Sequence, residues 1–83
     1  MTKKAVEIKL QSGLEARPVA MLVQVASRHE SSVYLMAEGK KVNAKSIMGM
    51  TYLSLMDGDT VTVTCSGQDE QKALVALQEL LEK

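Results

Sequence analysis

Ser46 carries the hydroxyl best suited to chemistry in this chain. It follows Asn43-Ala44-Lys45, where a strand-like run ends, and precedes Ile47 and Met48, which open a short apolar turn of helix. Serine is a preferred helix N-cap, so the spacing predicts a hydroxyl beside unpaired backbone N–H groups, where the helix dipole favours negative charge. A phosphate added there would meet donors already in place. The plainer reading of Ser46 is a cap and nothing more. The other reactive side chains stand alone. His29 is the sole histidine, in the polar connector Arg28 to Ser31, and reads as a solvated side chain with no neighbouring ligands for a metal. Cys65 is the sole cysteine, which excludes an internal disulfide and a cysteine-based zinc site, and its place on the apolar side of a strand reads as buried filler.

Composition limits what can position these groups. Eighty-three residues with 46% hydrophobic content support one small domain, residues 1–83. There is no Trp and no Phe, and only Tyr34 and Tyr52, so the core must come from Val, Leu, Ile, Ala and the six Met. Lys plus Arg balance Asp plus Glu at ten each, so no strong overall field draws the chain to nucleic acid or an acidic membrane. No apolar run reaches membrane-spanning length, and Met1-Thr2-Lys3-Lys4 leads into alternation rather than a signal-peptide core. The expected compartment is the cytoplasm.

Periodicity supplies the elements. Ala5 to Leu10 puts Val6, Ile8 and Leu10 on one side and Glu7 and Lys9 on the other, which predicts a strand broken by Gln11-Ser12-Gly13. Ala16 to Ser27 predicts a helix, with Val19, Leu22, Val23 and Ala26 inward and Pro18 in the first turn. Ser32 to Ala37 and Lys40 to Asn43 predict a hairpin about Glu38-Gly39, with Lys40 and Lys41 on a solvated edge. The short helix after Ser46 runs to about Tyr52. Leu53 and Leu55 then lead to the turn Asp57-Gly58-Asp59. Thr60 to Ser66 alternates strictly, Gly67 stops it, and Asp69 is positioned to cap a last helix whose apolar stripe is Ala73, Leu74, Leu77, Leu80 and Leu81. The order βαββαβα predicts an α+β, two-layer open-faced sandwich. Its four-stranded antiparallel sheet is covered on one face by three helices, and the threonine face of the last strand stays wet.

Two runs carry a resemblance as well as a pattern. Gly13-Leu14-Glu15-Ala16-Arg17-Pro18 and Asn43-Ala44-Lys45-Ser46-Ile47-Met48-Gly49 resemble the two best-known motifs of the HPr family of the bacterial phosphotransferase system. The segment Gly67 to Ala73 is similar to that family's strand-to-helix junction, so the likeness spans the chain. The family carries phosphate on a histidine at the position that is Glu15 here. A carboxylate cannot form the phosphoramidate, so the resemblance implies a degenerate carrier site and no relay from phosphoenolpyruvate. It implies membership of the catabolite-repression (Crh) branch of the family, which keeps the regulatory serine and lacks that histidine. On residues alone, Glu15 is a favourable acid near a helix N-terminus.

The resemblance further implies that Ser46 is phosphorylated by HPr kinase/phosphorylase. The phosphoprotein would then act as corepressor of the LacI-type regulator catabolite control protein A, with no direct contact to DNA and no cofactor. Docking of that kind needs apolar surface beside the charged group. Ile47, Met48 and Met50 are the expected patch, with Ala16, Ala20, Val23 and Gln24 from the first helix and Arg17 facing an acidic partner. Two other readings stand beside this one: a phosphocarrier that uses Glu15 as an acyl-phosphate acceptor, and a non-enzymatic binding module with an unrelated partner. The Gln11-Ser12-Gly13 hinge also allows a homodimer by exchange of the first strand.

Overall fold

The structure, a computed structural model, describes residues 1–10, 16–50, 53 and 55–82. The chain runs β1 (Thr2–Glu7), α1 (Ala16–Ser27), β2 (Ser32–Ala37), β3 (Lys40–Asn43), α2 (Ile47–Met50), β4 (Thr60–Ser66) and α3 (Glu70–Leu81). The four strands form one antiparallel sheet in the order β1-β4-β2-β3. This is the open-faced sandwich that the alternating patterns predict.

Alternation decides which face is covered. Val61, Val63 and Cys65 of β4 and Val33 and Leu35 of β2 point to the helix side and are buried. The helices meet them with one stripe each. Val19, Leu22 and Ala26 come from α1, and Ala73, Leu74, Leu77 and Leu81 from α3. Burial also raises the pKa of the Cys65 thiol, with the charges of Glu70 and Asp69 adding to it, so this sulfur is inert filler. The β2–β3 hairpin turns through Glu38 and Gly39 at φ 53° and 76°, the left-handed pair that matches strand twist. Lys41 on the edge strand lies over the Tyr34 ring, 4.7 Å from its centroid.

Two expectations shift. The first strand is Thr2–Glu7, not Ala5–Leu10. Its partner β4 starts at Thr60, opposite Glu7, so the ladder ends there. Beyond it, Ile8 N–H bonds the Asp59 carbonyl and Lys9 N–H the Leu81 carbonyl. Alternation through Ile8 persists because burial persists, while the pairing has stopped. The threonine face is also not uniformly wet. Thr64 is buried, flanked in the register by Lys3 on β1 and Tyr34 on β2.

Gly67 closes β4 at φ 151°, and a Cβ on it would lie 2.7 Å from both Cα and Oγ of Ser31. The strand end and the start of β2 approach this closely only because the side chain is missing. Gly67→Ala is expected to lower the unfolding free energy by roughly 1–3 kcal/mol. The urea midpoint is the readout, and an unchanged midpoint would show that Ser31 gives way freely.

Candidate functional site

The segment after β3 is shaped by its own side chains. Asn43 Oδ1 accepts from Lys45 N–H at 2.8 Å, and the Asn43 carbonyl accepts from Ser46 N–H at 3.0 Å. Buried Ala44 donates its N–H to the Val33 carbonyl, which pins the turn to β2. Ser46 then caps α2: its Oγ accepts from Gly49 N–H at 3.2 Å and its carbonyl from Met50 N–H at 3.0 Å. The serine is partly exposed.

Its neighbours divide sharply. Ile47 is 56% exposed and Met48 82%, whereas Met50 is at 0%. Met50 therefore leaves the expected docking patch. On a single turn of helix the residue after Gly49 rotates back into the core, where it joins the cluster that includes Leu53 and Leu55. On α1, which packs beside α2, Arg17, Ala20 and Gln24 are exposed and Val23 is half-buried against the core. Ala16 opens α1. Glu15 and the Gln11-Ser12-Gly13 hinge lie outside the described residues, as does Tyr52, where the short helix was expected to end.

A polar network behind Ser46 has no signature in the local sequence. Lys45 Nζ donates to the His29 carbonyl at 2.8 Å, tying the serine's own turn to the α1–β2 connector. The His29 ring is not simply solvated: its Nδ1 donates to Asp69 Oδ2 at 2.9 Å. Asp69 stands at the N-cap position of α3 but makes no side-chain capping bond there. Its carboxylate turns across to the connector instead. It accepts from Ser31 N–H at 3.0 Å, from Glu30 N–H at 3.2 Å and from the Ser31 hydroxyl. Asp69 spends its lone pairs on a loop 38 residues earlier in the chain because Gly67 lets that loop come close. The Ser31 hydroxyl is the main cause that holds the Asp69 carboxyl well below the usual carboxylate range. Desolvation opposes it, and the His29 ring and the two backbone N–H groups add to it.

What the arrangement presents is a capped, braced turn followed by two exposed apolar side chains. Among the described residues no three of His, Cys, Asp and Glu gather to hold a metal, and no helix is long and apolar enough to cross a membrane. A family model described as "PTS HPr component phosphorylation site" matches residues 2–83. The chain is 49% identical over 83 residues to HPr-like protein Crh of Halalkalibacterium halodurans, covering 100% of this chain and 99% of that one. The chain belongs to the HPr family. Among solved structures, HPr-C-His of Thermoanaerobacter tengcongensis superposes with a TM-score of 0.94 at 44% identity, covering 99% of this chain and 92% of that one. Bacillus subtilis Crh, described as a dimer with a swapped domain, gives 0.79 at 48% identity, covering 99% and 94%. In the HPr-like fold described here, β1 pairs with β4 of its own chain.

Asp69 makes the network testable by pH. Its folded-state pKa is lowered, so its stabilisation is full above the unfolded value of about 3.9 and is lost as pH falls toward the folded value. Asp69→Asn is expected to be clearly less stable than the parent at neutral pH, with the gap narrowing below about pH 3. Urea midpoints at both pH values check this. A gap of constant size would assign the loss to geometry and not to charge.

Proposed function

We propose that this HPr-like protein is a regulator in carbon catabolite repression, working in the cytoplasm as a binding partner and not as a catalyst. HPr kinase/phosphorylase modifies Ser46, and the phosphoprotein then acts as corepressor of catabolite control protein A. The single observation that carries this reading is a partly exposed Ser46 with exposed Ile47 and Met48 directly after it. Phosphorylation adds about 1.5 to 2 negative charges and three acceptor oxygens at pH 7. Set beside two exposed apolar side chains, that charge supplies both halves of a docking site: a polar anchor and a desolvating patch. Arg17, exposed on the neighbouring helix, adds a cation suited to a bidentate bond with a partner carboxylate. Ala20, Val23 and Gln24 extend the surface along α1. Glu15 occupies the position of the family's carrier histidine, so phosphoryl relay from phosphoenolpyruvate is absent.

Incubation with HPr kinase and ATP is expected to add one phosphoryl group by intact mass, absent in Ser46→Ala. Phosphoenolpyruvate with the system's first enzyme is expected to add none. The regulator should be retained only by the phosphoprotein, and Ile47→Asp or Arg17→Ala should weaken retention by about tenfold or more. Equal retention without phosphate would sink the proposal.

The same protein forms a homodimer by exchanging β1 through the Gln11-Ser12-Gly13 hinge. Supporting this is the swapped dimer of Bacillus subtilis Crh at 48% identity. Sedimentation over a range of concentrations should resolve both monomer and dimer. Monomer throughout would dispose of exchange.

A further inference from the structure

We propose that Met48 is a second modification site on this surface, where oxidation of the thioether by a peroxide opposes the effect of phosphate on Ser46. This rests on the docking reading above and adds an off signal to it. Within one four-residue helix the chain presents two methionines in opposite environments, Met48 at 82% exposure and Met50 at 0%. Susceptibility of a thioether follows its exposure, so a diffusible oxidant meets the first sulfur and not the second. Met48 also follows the modified serine by two residues, beside Ile47 at 56% exposure. Any partner that reads Ser46 must cover it.

The chemistry balances with hydrogen peroxide alone. A sulfur lone pair attacks one peroxide oxygen, the S–O bond forms as the O–O bond breaks, and the leaving hydroxide takes the proton from the sulfur-bound oxygen and departs as water. Sulfur loses two electrons and peroxide gains them. The product replaces a soft apolar group with a polar, chiral sulfoxide. In free protein the new oxygen is hydrated, because the side chain that carries it is exposed. Under a bound partner it loses that water and is left without a designed donor, which disfavours the complex. Methionine sulfoxide reductase restores the thioether, so the signal is reversible. Met56 is also exposed, but it precedes the turn into Thr60, whereas Asn43, which leads into Ser46, is level with Thr64 on the sheet.

The test uses Ser46-phosphorylated full-length protein, dilute hydrogen peroxide, peptide mapping by mass spectrometry, and affinity for catabolite control protein A. Met48 is expected to convert well before Met50, and affinity to fall by about tenfold or more as it does. The reductase should restore it. Met48→Leu, compared with its own affinity before peroxide, should keep that affinity afterwards, because leucine has similar bulk and nothing to oxidise. Conversion of Met48 no faster than Met50, full affinity after Met48 is oxidised, or an equal loss in Met48→Leu would each overturn the proposal. Failure of the phosphoprotein to bind before any peroxide is added would instead overturn the docking reading, and this proposal with it.

Discussion

One face of the sheet has to be kept from water, and nearly everything else in the fold answers to that. Val61, Val63 and Cys65 on β4 and Val33 and Leu35 on β2 all point the same way, and each of the valines and the leucine is worth roughly 1.5–3 kcal/mol when fully buried. Because β4 lies between β1 and β2, the helices must gather over that single face. With no Trp or Phe to fill space, the layers meet through small aliphatic side chains, and close backbone approach matters correspondingly more. Gly67 shows it, where an added Cβ would lie 2.7 Å from Ser31.

Crowding three helices onto one face brings their ends and connectors together, and those ends carry unpaired backbone donors. Asp69 resolves several at once. Its carboxylate takes two backbone N–H groups, a hydroxyl and an imidazole N–H from the connector between α1 and β2. The carbonyl of His29 then receives Lys45, so the turn that presents Ser46 is braced from behind through the same connector. Under the function proposed above this bracing helps, because the surface around Ser46 is held before a partner arrives and less ordering is left to the binding step.

The surface itself is a division of labour within one turn of helix. Met50 faces inward and anchors α2 to the core, while Ile47 and Met48 face outward. Exposed apolar side chains cost little stability when single, but two in succession beside a hydroxyl that accepts a helix N–H are the ingredients of a contact site. Neutral overall charge suits the proposed phosphorylation, since a local change in charge is then not masked by a large background field.

Element type and order were legible in the chain from period alone: strict alternation in Thr60–Ser66, helical spacing in Ala16–Ser27 and Glu70–Leu81, and turn residues at Glu38-Gly39. The capping role of Ser46 was legible too, because a cap is a contact between residues three apart. What the chain could not show was where pairing ends and which way a polar side chain turns. The limit of β1 depends on where β4 begins, and the burial of Thr64 on its neighbours Lys3 and Tyr34. Asp69 and His29 look like a helix cap and a surface histidine until Gly67, far from Ser31 along the chain but its neighbour in space, lets them meet. Short-range order is written in spacing, because its partners are a few residues away along the chain. Long-range partners are chosen by packing, so only the folded molecule decides them.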